Sequence, residues 1–367
     1  MHVKKESSLL SISIVFMGRI KVISFNIFLV TILFFAIDVF FGQYLIKSFN
    51  KNSIEPVIRI SHPIFNHTLL PNQHMVKTSW GPHDYFICTN ANGFKSSCDI
   101  KDTNNNLDIV FMGDSFTEAI GLPWEDSFVG MYAELNPKLN ITNMGLAGYS
   151  PSIYYSKIKY FLDRGIKIKH VIVFVDITDV KDEGYRYILN TDGSVSSKIN
   201  STKNFLLWNK ELKKRLPISR LLLKILIQLS ATDHINSASW LNDNSLSGFG
   251  PKGVEGAIKN TVENMRLLSK LLSENNIKLS VGIFPQPNQI LTSKKTNRHV
   301  DIWENFCKNR CFSFINSFPI FYEMLDQKLP EKIIEKYYIK GDIHFNKEGN
   351  QIILNQIVKD FRFPLKN

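Results

Sequence analysis

The sequence predicts an α/β sandwich built on a central parallel sheet, and three observations lead there. Five short, nearly continuous apolar runs recur from Asp108 onward: DIVFMG (108–113), NITNMG (140–145), HVIVFVDI (170–177), KLSVGIFP (278–285) and CFSFINS (311–317). Helical stretches separate them. A strand covered on both faces has no solvent side, so it reads as a continuous apolar run rather than an alternating one, as parallel sheets flanked by helices require. The third observation is bulk: 367 residues, 44% of them hydrophobic, supply a large core and exclude a disordered chain, a collagen-like fibre or a low-complexity scaffold.

Ahead of the sandwich, Val22 to Ile46 reads VISFNIFLVTILFFAIDVFFGQYLI, whose one charged side chain is Asp38. At 1.5 Å rise per residue such a stretch crosses a hydrocarbon core of about 30 Å even when tilted. Gln43 to Lys51 contains no small-x-small cleavage site, so the span reads as an uncleaved anchor. Lys4, Lys5, Arg19 and Lys21 precede it against Lys47, Lys51 and Arg59 after it, a bias toward a cytoplasmic N-terminus. The expected organisation is a cytoplasmic segment at 1–21, an inner-membrane anchor at 22–46, an irregular lead-in at 47–107, and the α/β domain at 108–367 on the periplasmic or extracytoplasmic side. Asp38 lies toward the outer end of the span, within reach of the interface or of a helical partner.

Within the domain, helices are expected over 124–136 and 151–164 between the first three strands, then over 254–275, 297–308 and 347–361. An insertion at about 180–253 interrupts the alternation. It holds a hairpin signal, Asp192-Gly193 inside YILNTDGSVSSK (187–198), and an apolar stripe, LPISRLLLKILIQL (216–229). The stripe is too short to cross a bilayer and reads as a cap helix on the globule in preference to a membrane-skimming or partner-binding one.

Charge and cysteine content narrow the partners. Lys and Arg total 44 against 33 Asp and Glu, a net +11, but the excess is dispersed. That argues against nucleic acid and suits an anionic glycan or lipid surface. Cys88, Cys98, Cys307 and Cys311 form an even set in nearby pairs, with 88–98 and 307–311 the simplest of three pairings in an oxidising compartment and free buried thiols the alternative. Neither pair has CxxC spacing and no His-x-x-x-His accompanies them, so no metal site is expected.

The chemistry gathers in loops after the strands, where open α/β sheets bind ligands. FMGDSFTEAIG (111–121) follows the first strand. Gly113 permits a tight turn, and Ser115 at the start of the next helix is a nucleophile candidate beside free N–H groups, or simply a helix cap. KGDIHFNKEGN (340–350) supplies His344 as a base and Asp342 as the carboxylate that orients it, in a loop before the last helix. Gly148, in NMGLAGYSP, offers a backbone N–H, and DITD (176–179) brings Thr178 and Asp179 toward the reacting oxygen or the serine turn. His62, His67, His170 and His299 fall outside these blocks and read as surface or structural, with His62 and His67 as cleft neighbours.

The order GDSF, NMGLAGYS, VDITD, DIHFNKEGN resembles the SGNH (GDSL-like) hydrolase superfamily, and specifically its bacterial membrane-anchored members. HPIFNHTLLPN (62–72) and TNANGFK (89–95) are similar to the lead-in those members carry, so the resemblance extends from about Ser61 to the C-terminus. It implies a flavodoxin-like α/β/α fold with a five-stranded parallel sheet, Ser115 as nucleophile, His344 as general base and Asp342 as orienting acid. It further implies an oxyanion hole of Ser115, Gly148 and Thr178, and no cofactor. At the third block the family usually places an Asn, whose amide donates to the oxyanion; Thr178 stands there instead, with a shorter hydroxyl. The Asp-x-His spacing is one residue shorter than in many members and matches branches resembling polysaccharide O-acetylation proteins.

The expected function is therefore that of a membrane-anchored serine esterase or O-acyltransferase acting on O-acetyl groups of a cell-envelope polysaccharide, with a membrane-bound acyl donor as a partner if the acyl group is transferred. The alternative is a glycan-binding or assembly subunit that keeps the fold with weak or no catalysis.

Overall fold

The computed structural model describes residues 21–42, 44, 58–80, 83–99, 105–198, 218–219, 239–292 and 297–363. The chain divides into two compact units, Met1–Ile54 with Ile199–Asp233, and Glu55–Lys198 with His234–Asn367.

In the first unit the helix Lys21–Gly42 is long and apolar enough to cross a membrane. Asp38 is fully buried, and its two carboxylate oxygens accept the backbone N–H groups of Ile218 and Ser219, each at 2.7 Å. A carboxylate on an apolar helix needs donors, and these two backbone N–H groups supply them. The rest of the 216–229 stripe, expected as a cap helix, lies outside the described residues. Ile218 and Ser219 themselves group with the unit that holds the helix Lys21–Gly42 rather than with the α/β unit.

The second unit contains twelve strands among its described residues: β1 (Arg59–His62), β2 (Asn66–Leu69), β3 (Val76–Trp80), β4 (His83–Thr89), β5 (Lys95–Ser96), β6 (Asn106–Met112), β7 (Ile141–Asn143), β8 (Lys167–Phe174), β9 (Tyr187–Leu189), β10 (Val195–Ser197), β11 (Lys278–Ile283) and β12 (Ser313–Asn316). Its main sheet runs β12-β11-β8-β6-β7-β5-β4-β3. The five members from β12 to β7 are parallel, and β5, β4 and β3 extend the sheet antiparallel. Numbered among themselves, the parallel strands follow the flavodoxin-like order 2-1-3-4-5. The expected five-strand sheet is thus the core of an eight-stranded one. The extra three strands come from the segment read as an irregular lead-in; at two to seven residues each they are too short to show a long period. β9 and β10 form the separate hairpin around Asp192-Gly193.

Successive residues of a strand face opposite sides, and both sides are covered. Val110 and Met112 of β6, Val171 and Val173 of β8 and Val281 of β11 join one core with Ile153, Ile158, Met265, Leu268 and Trp303 of the helices Pro151–Leu162, Gly253–Glu274 and Arg298–Cys307. Ile109 and Phe111, Ile172 and Phe174, and Ile315 join a second core. It is closed by Phe128, Phe321, Ile333 and Ile353 of the helices Phe128–Leu135, Phe318–Leu325, Pro330–Tyr337 and Lys347–Asp360. The result is a three-layer α/β/α sandwich. Cys88 pairs with Cys98 and Cys307 with Cys311 as disulfides.

Candidate active site

β6 ends at Met112 and the chain turns sharply through Gly113. A Cβ there would meet Thr117 Oγ1 at 2.1 Å and the Phe174 carbonyl oxygen at 2.8 Å, so no larger residue fits. Asp114 caps the helix Ser115–Glu118 by accepting the Phe116 N–H at 3.0 Å, which leaves Ser115 as its first residue. β6 lies between β7 and β8, so this turn emerges beside the switch in strand order, at the carboxyl edge where such sheets bind ligands.

His344 arrives from the far end of the chain. Its loop is closed by a bridge between Tyr338 and Phe345 and by the Ile339 N–H donating to the His344 carbonyl at 2.8 Å. Asn346 then caps the last helix through the Gly349 N–H. The imidazole is buried, tilted against Phe116 with 4.8 Å between ring centroids. His344 Nε2 lies 2.7 Å from Ser115 Oγ, and His344 Nδ1 lies 2.5 Å from Asp342 Oδ1, which also accepts the His344 N–H at 2.9 Å. Asp342 Oδ2 accepts the indole N–H of Trp80 at 3.0 Å. Burial opposes ionisation of Asp342, but the bonds from His344 and Trp80 outweigh it and hold the carboxyl below its ordinary value.

Hydroxyl, imidazole and carboxylate in one hydrogen-bonded line are the parts of a nucleophile activated by a base, with the base held in one tautomer. The protonated Nδ1 faces Asp342, which leaves the Nε2 lone pair for the serine proton.

Gly148 follows β7 at φ +78°, a left-handed conformation that favours glycine, with the Arg186 guanidinium packed against it. Among the described residues, the N–H groups of Ser115 and Gly148 have no hydrogen-bond acceptor. Gly148 is fixed from several sides: its carbonyl accepts the Tyr187 hydroxyl at 2.8 Å, the Ala147 N–H donates to Glu118 Oε2 at 2.8 Å, and the Ala147 carbonyl accepts His67 Nε2–H at 2.8 Å.

Thr178 is differently placed. Its N–H and hydroxyl both donate to Asp176 Oδ1, at 2.8 and 2.5 Å, so the hydroxyl is committed to that carboxylate. Asp176 also accepts Gln286 Nε2–H, from the loop after β11. Burial raises the pKa of both Asp176 and Asp114, and the charge of Asp176 raises Asp114 further. Asp179 turns away to accept the Tyr154 hydroxyl at 2.9 Å.

Of the other histidines, His67 borders the Gly148 loop, whereas His62 stacks on Phe65 at 3.6 Å and accepts nearby backbone N–H groups. His170 bonds the Ser280 hydroxyl, and His299 donates to the Val175 carbonyl, both in the interior.

Trp80, Glu118 and Arg59 are residues that motif reading missed. Glu118 sits inside the GDSFTE block, but nothing local marks its pairing with Arg59 across 59 residues at 2.5 Å. Trp80 is separated from Asp342 by 262 residues.

No family model and no curated protein matches this chain. Among solved structures, the acetylxylan esterase Axe2 from Geobacillus stearothermophilus is similar over 69% of this chain and 93% of its own, at 12% identity and a TM-score of 0.39. A lipolytic G-D-S-L family protein from Veillonella parvula overlaps 69% of this chain and 97% of its own, with the same identity and TM-score. The esterase EstA from Pseudoalteromonas overlaps 70% and 96%, at 13% identity and a TM-score of 0.36.

Proposed function

We propose that this chain is a membrane-anchored serine esterase or O-acyltransferase of the SGNH (GDSL-like) kind, acting on acetyl esters of a cell-envelope polysaccharide. The observation that carries the reading is the 2.7 Å contact between Ser115 Oγ and His344 Nε2, with Asp342 behind the imidazole. Ser115 attacks the acyl carbonyl while Nε2 takes its proton, and Asp342 stabilises the imidazolium that forms. The free N–H groups of Ser115 and Gly148 receive the developing oxyanion. The imidazolium returns the proton to the departing sugar oxygen, and the acyl-enzyme passes its acyl group to water or to a sugar hydroxyl by the reverse sequence.

The polysaccharide target is supported by the Asp-x-His block and by the dispersed net positive charge, and the extracytoplasmic placement by the apolar helix Lys21–Gly42, the flanking charges and the two disulfides.

The test is detergent-solubilised full-length protein with p-nitrophenyl acetate and a fluorophosphonate probe. Wild type should hydrolyse the ester and take the label, and Ser115→Ala should do neither. A second reading, a glycan-binding subunit with little catalysis, is favoured by the commitment of Thr178 to Asp176, because losing one oxyanion donor costs about 3 kcal/mol of transition-state stabilisation. It is preferred if wild type neither turns over nor labels while glycan binding persists in Ser115→Ala.

A further inference from the structure

We propose that Trp80, from the tip of the β3–β4 hairpin, is a positioning residue for the candidate triad: its indole N–H pins the carboxylate of Asp342 so that the other oxygen stays aimed at His344. The inference rests on the serine-hydrolase reading above and concerns what keeps that site in register.

Both oxygens of Asp342 are engaged in different directions. Oδ1 takes Nδ1 and the backbone N–H of His344, and Oδ2 takes Trp80 Nε1 at 3.0 Å. A carboxylate held only through Oδ1 swings about its Cβ–Cγ bond; a donor on Oδ2 stops that rotation. The indole also stands edge-on to the imidazole, 5.5 Å between centroids at 83°, so the same ring bounds the base.

Chemistry favours indole here. Lys or Arg at this place would neutralise the charge that Asp342 must offer the imidazolium, and a hydroxyl could rotate to accept instead of donate. Indole N–H is a neutral group that only donates. It fixes direction and leaves the carboxylate's charge for His344.

Trp80 is itself supported. It is the last residue of β3, paired with His83 across the hairpin, and its side chain packs beside Gly121, where an added Cβ would lie 3.4 Å from Trp80 Cδ1. The segment read as an irregular lead-in thus reaches the carboxylate near the opposite end of the chain.

The experiment is a double-mutant cycle in the full-length protein, assayed with p-nitrophenyl acetate. Trp80→Phe should lower kcat about tenfold, the scale of one hydrogen bond to a charged group, with KM within about twofold. In an Asp342→Asn background the same change should cost little more, because there is no longer a carboxylate to orient. Incorporating benzothienylalanine at position 80 replaces the N–H by sulfur in the same ring frame, and should reproduce the loss without disturbing the fold. Equal losses in both backgrounds, or full activity with the sulfur analogue, overturn the proposal. Loss of label and turnover in wild type itself would instead count against the serine-hydrolase reading.

Discussion

Ser115, His344 and Asp342 form one line of hydrogen bonds, and each depends on its neighbour for a protonation state or a direction. Asp342→Asn keeps the shape but removes the charge that holds the imidazole tautomer, so kcat should fall by about a thousandfold or more with KM little changed, read from initial rates on p-nitrophenyl acetate. His299 offers a separate residue-level check away from that line. Burial pushes its pKa down from the usual 6.5 to about 4, so it is neutral in the fold and binds a proton more readily once unfolded. Its contribution is complete above about pH 6.5 and is lost progressively as pH falls toward 4, about 3 kcal/mol in all. His299→Gln should accordingly lose less stability than wild type over that window in parallel urea titrations.

At the level of elements, β6 and β8 flank the switch point, and the loops after them carry Ser115 and Asp176, while the strands before β6 brace those loops. Arg59 of β1 pairs with Glu118, whose carboxylate also accepts the Ala147 N–H next to Gly148. Glu118 is fully buried; burial opposes its charge, yet Arg59, Lys95 and the Ala147 N–H hold its pKa below the ordinary value. Arg59→Met leaves that carboxylate without its ion partner. The expected cost is about 3 kcal/mol in urea unfolding, accompanied by a fall in kcat as the Gly148 loop loosens. The strands of the parallel core and the helices Pro151–Leu162 and Gly253–Glu274 were legible from apolar runs and periodicity. The helices Phe318–Leu325 and Pro330–Tyr337 were not: each is eight residues long, too short for a pattern to stand out from its surroundings.

For the whole molecule, the apolar helix Lys21–Gly42 and the acylated-glycan reading make one joint prediction. The full-length chain should stay with membranes through alkaline carbonate washing, and in spheroplasts the α/β unit should be cut by added protease from outside. Release by carbonate would remove the anchor reading, and protection from protease would reverse the proposed orientation.

Read alone, the sequence determined the parallel core, its strand sequence, the tight turn at Gly113 and the residue types of the candidate triad, because each is written within a few neighbouring positions as apolar runs or a short block. Only the tertiary structure decided that residues 115 and 344 meet, that Trp80 reaches Asp342 and that Thr178 spends its hydroxyl on Asp176. Those outcomes turn on which donor and acceptor find each other once distant segments are packed side by side, a competition that local sequence does not encode.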